Sequence, residues 1–168
     1  MGKADDRMVR IPELVKELDE LAIVPLLLSF SIVGPLLHES FHGLWLGMAG
    51  CQYRQSYSFR NFHIAAMTEP LCFLDGWKFT GFALAGIVGS SLLSLILSAL
   101  ALSLPRPAST HFQAFLSGIH LSNAFSLLSS ESDLALISAQ QWSIPAAALL
   151  TATAVWLLVV SMKSKEII

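Results

Sequence analysis

Charge is what this sequence has least of. Ten Lys and Arg and twelve Asp and Glu make up 13% of its 168 residues, against 54% hydrophobic residues. A soluble domain carries about 25% charged residues. With a mean hydropathy of +0.64, the composition excludes an ordinary soluble domain and predicts an integral membrane protein. The net charge of −2 offers no basic excess, so nucleic-acid binding is not expected. Cysteine is nearly absent too. Cys51 and Cys72 are too few for a disulfide framework and are expected to be ordinary free thiols. The first twenty residues are charged and the apolar run after them is longer than a signal-peptide core, so no cleavable signal is expected. No internal repeat or low-complexity tract breaks the chain, and its length leaves room for one domain.

What is present falls into apolar spans. Residues 1–20 are polar. Met8, Ile11, Leu14, Val15 and Leu18 recur at helical spacing among charges, which predicts an amphipathic segment lying on a membrane surface or a solvated lead-in helix. Four spans are expected to follow, at about 21–48, 81–104, 112–137 and 144–162, each near the twenty residues needed to cross a bilayer. Gly34-Pro35 interrupts the first and predicts a bend. Pro105-Arg106-Pro107 ends the second. Between the first two spans, Cys51 to Thr80 carries Tyr53, Tyr57, Phe59, Phe62 and Ile64 in partial alternation. This predicts a hairpin or a pair of short strands partly dipping into the membrane. The expected fold class is an all-α polytopic membrane protein with a short strand-like or re-entrant segment after its first helix; a five-residue tail, 164–168, follows the last span.

Inside the first span stands His38-Glu39-Ser40-Phe41-His42, an HExxH sequence. Residues four apart share one helix face, so His38 and His42 can grip one Zn²⁺. Glu39 is then placed to act on a water at the metal. Ionisable groups in a membrane span are costly and mark function by default.

A catalytic zinc site normally takes three protein ligands. Helical rise puts His38 about 26 Å along the first span, and Asp133 about 31 Å along the third, which runs in the same direction. His120 is shallower and His111 lies on the other side. Asp133 is therefore the preferred third ligand, with Asp75 the runner-up and His63 and Glu131 behind it. His63, His111 and His120 otherwise read as loop or packing residues.

These residues resemble the site-2 protease family of intramembrane zinc metalloproteases, of which this chain looks like a divergent, minimal member. In that family an HExxH helix is followed by a strand-rich segment and a helix rich in small residues. A later helix supplies Asn and the third ligand within an Asn-x-x-Pro…Leu-Asp-Gly pattern. Here the counterparts are His38–His42, Ala85-Gly86, and Asn123-Ala124-Phe125-Ser126…Glu131-Ser132-Asp133. Ser126 stands in place of the proline, and Leu134 follows the aspartate in place of glycine.

The resemblance implies zinc-dependent hydrolysis of a peptide bond in or near a membrane-spanning segment. Zn²⁺ would be held by His38, His42 and Asp133, Glu39 would be the general base, and Asn123 would bind substrate backbone or the oxyanion. The partners implied are a membrane-protein or hydrophobic-peptide substrate and the lipid bilayer. A catalytically inactive membrane zincin that binds hydrophobic segments, or a zinc-handling membrane protein, are the alternatives. Sidedness stays open on sequence. Seven Lys and Arg flank the terminal side against three on the other, which places both termini in the cytoplasm; the resemblance implies the reverse.

Overall fold

A computed structural model describes residues 20–60, 62–128 and 142–163. The amphipathic segment expected at the N-terminus lies outside these, apart from Glu20. The described chain is mostly helical, with one two-stranded sheet.

Helix α1 (Glu20–Leu28) passes through a π-helical turn at Ser29–Val33 into α2 (Gly34–Met48). The sequence predicts a bend at Pro35, and the structure places the irregularity one turn earlier. Proline has no N–H to donate, and its ring collides with the carbonyl four residues back. The widened turn absorbs both problems. Gly34 N–H bonds the Ser29 carbonyl five residues back, and Pro35 falls in the first turn of α2, where a missing donor costs little.

The end of α2 sends the chain back along itself. Gly50 adopts a left-handed φ of 74°, Gly50 N–H bonds Gly47 O at 3.1 Å, and Cys51 N–H bonds Leu46 O at 2.9 Å. This is the glycine-terminated helix stop in which two otherwise orphaned carbonyls gain donors. Strand β1 (Tyr53–Arg60) then pairs antiparallel with β2 (His63–Pro70), from Tyr53↔Pro70 to Arg60↔His63. The expected strand-like stretch is thus a hairpin whose second strand runs on to Pro70.

Continuing the register outward puts Cys51 opposite Cys72, and the two form a disulfide with Cα atoms 5.6 Å apart. The expectation of free thiols is therefore overturned. Register, not cysteine number, decides the pairing, because antiparallel strands bring directly opposed residues within bridging distance.

The hairpin lies along α2. Thr68 Oγ and Gln55 Nε2 both donate to the Glu39 carbonyl, at 3.0 and 3.1 Å. Glu39 lies nine residues before the end of α2, about 14 Å of helix rise. The turn end reaches further, with the His63 ring 6.3 Å from that of Phe30.

Three helices complete the bundle: α3 (Gly76–Ala101), α4 (Arg106–Leu127) and α5 (Ser143–Lys163). Helix α3 begins five residues before the predicted span, at Asp75 in the N-cap position, so Trp77 to Thr80 are helical. Pro105 and Pro107, read as the end of one span, open α4 instead. Proline fits a helix's first turn better than its interior. The predicted third span extends to 137, and its part beyond Leu128 lies outside the described residues.

Among the described residues three helical stretches are long and apolar enough to cross a membrane: Ala22–Met48, Gly76–Ala101 and Ser143–Val160. Only 22%, 28% and 22% of their most apolar windows is buried inside the protein, so these helices turn most of their apolar surface outward, as lipid-facing helices do. Helix α4 is as long but more polar. It occupies the middle, packing on α1, α2, α3 and α5, and its Gln113, Ser117, His120 and Asn123 are at most 1% exposed. Apolar packing on both sides holds it, through Leu116 and Ile119 with Leu157, and through Ala124 and Leu127 with Ala147.

Candidate metal centre

His38 and His42 stand one turn apart on α2, 6% and 2% exposed. Their Nε2 atoms face each other at 3.1 Å. Two nitrogens bound to one zinc at 2.0–2.1 Å with a tetrahedral angle stand about 3.3 Å apart. The spacing therefore suits a shared ion.

The hydrogen bonds behind the rings decide which nitrogens carry protons. His42 Nδ1 lies 2.7 Å from the Phe82 carbonyl, which can only accept. His38 Nδ1 lies 3.2 Å from Asn123 Oδ1. The orientation of that amide is fixed from α3. Ser90 Oγ donates to the Gly86 carbonyl at 2.5 Å, which leaves its oxygen to accept from Asn123 Nδ2 at 2.8 Å; Ser91 Oγ accepts from the same nitrogen at 3.0 Å. Asn123 therefore points its oxygen at His38. Both histidines carry their proton on Nδ1, and both Nε2 lone pairs face the same point. This is the arrangement of metal-binding histidines, whose other ring nitrogen donates to a carbonyl or carboxylate.

Room for the ion comes from α3. A Cβ on Gly86 would lie 2.5 Å from Nε2 of both histidines, so only glycine lets the α3 backbone approach this closely. Glu39 completes the group: among the described residues, His38, Glu39 and His42 are the set whose ligand atoms all lie within 4.8 Å of one another. A cavity of about 240 Å³ opens beside them, walled by Pro35, His38, Glu39, Ser122, Asn123 and, from β2, His63.

The structure thus brings His38, Glu39, His42 and Asn123 together, sets Gly86 of the Ala85-Gly86 pair against the histidines, and adds two residues that the sequence did not single out for the site. Ser90 and Phe82 reach the site through a hydroxyl relay and a carbonyl, neither of which leaves a mark in a motif. His63, read mainly as a loop residue, lines the cavity because the hairpin folds back onto α2. Asp75 is not brought in. It is exposed at the N-cap of α3, about 16 Å of helix rise from Gly86. His111 lies twelve residues before Asn123 on α4, about 18 Å away by the same rise. His120 is fully buried, and no protein group among the described residues bonds either ring nitrogen. Asp133 and Glu131 lie outside the described residues. The histidine and carboxylate donors, the proton placement and the Gly86 recess fit a divalent metal ion. Compared with protein-family models, with curated proteins and with solved structures, this chain matches none.

Proposed function

We propose that this chain is a zinc-dependent intramembrane endopeptidase, similar to the site-2 proteases, that hydrolyses a peptide bond in or near a membrane-spanning segment. Helix α4, 22 residues long and about 33 Å by helix rise, serves as the fourth span, with its polar face covered by its neighbours. His38 and His42 hold the zinc with Asp133, six residues beyond the end of α4, as the third ligand. When bound, zinc lowers the pKa of a water to about 7 and polarises a carbonyl.

This chain's own groups do the rest. Glu39 takes a proton from the attacking water and returns it to the leaving amine. Asn123 has its oxygen and amide nitrogen engaged by His38, Ser90 and Ser91, which supports a positioning role on His38 over the substrate contact that the resemblance implies. Strand β2 pairs with β1 along one edge only, and its His63–Ala66 stretch lines the cavity. An extended substrate segment can add to that edge through backbone hydrogen bonds, which suits a protease because an intact helix hides its scissile bond.

The convergence of the two Nε2 lone pairs beside Glu39, inside an apolar span, carries this reading. The test is cleavage of a membrane-protein substrate by purified protein, with zinc content measured in parallel. Glu39→Gln should lose cleavage and keep zinc, and His38→Ala should lose both. Cleavage undiminished by Glu39→Gln overturns the mechanism. Zinc binding without cleavage in the wild type points to a membrane zincin that only binds its targets.

A further inference from the structure

We infer that the base of the hairpin faces the oxidising, extracytoplasmic side of the membrane and that the metal centre lies in the membrane half nearer to it, so that the site takes polypeptides whose scissile bond lies in the outer half of the bilayer. The inference rests on the membrane reading above and extends it to the side from which substrate is presented.

Two independent observations carry it. The first is covalent. Cys51 and Cys72 close the open end of the hairpin as a disulfide. Forming that bond removes two electrons and two protons from the thiols, and they must pass to a disulfide donor or another thiol oxidant. Such oxidants act in secreted and periplasmic compartments, whereas cytosolic thiols are kept reduced. Both cysteines belong to the segment between α2 and α3, so they mark the side of the membrane on which that segment lies.

The second observation is the distribution of cationic residues. The helices alternate in direction, so Glu20, the α3–α4 turn and Lys163 share one side, and the hairpin base, the start of α3 and the start of α5 share the other. Of ten Lys and Arg, Arg106 and Lys163 flank the first side, and Lys3, Arg7, Arg10, Lys16 and Lys165 precede or follow the helix ends there in sequence; Arg54 and Lys78 flank the second, and Arg60, at the hairpin turn folded back toward Phe30, marks neither. Cytoplasmic flanks carry the excess of Lys and Arg. The charge count puts the hairpin base outside, and the disulfide, which is independent of the charges, puts it in the same place.

Depth then narrows the substrate. His38 lies ten residues before the end of α2, about 15 Å along the helix, so the bond that reaches the metal centre lies in the half of the membrane nearer the hairpin base. A polypeptide cleaved there releases its product to the extracytoplasmic side.

The test uses the full chain in intact cells and a membrane-impermeant maleimide that shifts gel mobility. After treatment of the cells with a charged, impermeant phosphine reductant, Cys51 and Cys72 should both become labelled; without reductant, neither should label even after denaturation. Labelling that requires the membrane to be opened first, or thiols that react in denaturant without any reductant, overturns the inference. A second arm places a reporter in the α3–α4 turn, Ser103→Cys in a Cys51→Ser, Cys72→Ser background, and it should label only after permeabilisation. The wild-type arm stands alone if that variant does not fold. Zinc content and cleavage, measured on detergent-purified protein, fail or hold independently of labelling, which separates failure of the sidedness from failure of the protease reading.

Discussion

Two polar clusters sit inside this apolar bundle, and they are built on opposite plans. Toward the terminal side, Ser98 Oγ donates to Gln113 Oε1 at 2.6 Å while Gln113 Nε2 returns a bond to the Ser98 carbonyl at 3.0 Å. Nearby, Ser94 and Ser117 bond the carbonyls of Leu116 and Ala154 at 3.2 and 3.1 Å. Each donor there finds an acceptor on a neighbouring helix and the circuit closes. Toward the hairpin side, the donors run in one direction, from His38 to Asn123 to Ser90 to the Gly86 carbonyl, and at the head of that chain the Nε2 atoms of His38 and His42 face each other. The first cluster consumes its polarity in joining helices. The second uses hydrogen bonds to aim two ring nitrogens at one point, which is what distinguishes a site from a packing device.

The largest expected effect tests this difference directly. Glu39→Gln should lower cleavage by roughly 10²–10⁴-fold, the range supplied by a positioned general acid–base group, with zinc content unchanged. Gln113→Leu should leave both cleavage chemistry and zinc stoichiometry intact. A comparable loss of cleavage in the two variants, at equal folded fraction, would erase the distinction.

The hairpin comes next. The disulfide spans a sequence separation of 21 residues, and closing a loop of that size contributes about 3 kcal/mol in the chain-entropy model. Paired Cys51→Ser and Cys72→Ser should lower thermal stability accordingly in detergent. Because β2 walls the cavity, the loss should also weaken substrate capture. Among the described residues the side chains of Ser98 and Gln113 bond only within that pair, so a double substitution across it and the hairpin should be additive.

Asn123→Ala separates positioning from substrate contact. Removal of a group that orients a metal-binding histidine typically costs 10–100-fold in metal affinity. Zinc affinity measured by competition with a chelator should fall by about that factor. A role confined to substrate or oxyanion predicts a fall in kcat/KM with zinc affinity unchanged, and that outcome would return Asn123 to the role the resemblance implies.

Much of the site was legible because it is local. His38 and His42 share a face by helical period, and Glu39 follows from the motif; no tertiary information is needed. Asn123 was legible only through the resemblance, and the structure places it in a hydrogen bond between α2 and α4, on His38. What was not legible depends on backbone position. Gly86 is legible as half of the Ala85-Gly86 pair, but its contact with the histidines is not. Ser90 reads as packing until its bond to the Gly86 carbonyl fixes the direction of an amide. The disulfide was missed for a different reason: two cysteines mean little by number, and the register that opposes them emerges only when both strands are placed. Helix α4 shows the limit of hydropathy. Its polarity reports that it faces other helices, whereas the apolar scale detects surfaces that face lipid. The third ligand, read as Asp133 from depth and from the resemblance, lies in the chain beyond Leu128, outside the described residues.

The smallest expected effect lies in the closed cluster, where its sign is the informative part. Ser98→Ala alone leaves Gln113 with a buried carbonyl lacking its donor, and Gln113→Leu alone leaves the Ser98 hydroxyl to return to its own helix. An interhelical hydrogen bond between membrane helices contributes about 0.6 kcal/mol on average and up to about 1.7, while an unsatisfied buried group costs about 1–3 kcal/mol. Each single variant should therefore destabilise, Ser98→Ala more than Gln113→Leu, and the double variant should recover part of the loss because no orphaned group remains. Unfolding in detergent for the two singles and the double gives the coupling directly. Recovery in the double marks the pair as mutual packing. A double variant that also loses zinc would show that the two clusters form one network through α3 and α4, and the boundary between joining helices and holding metal would have to be redrawn below Ser94.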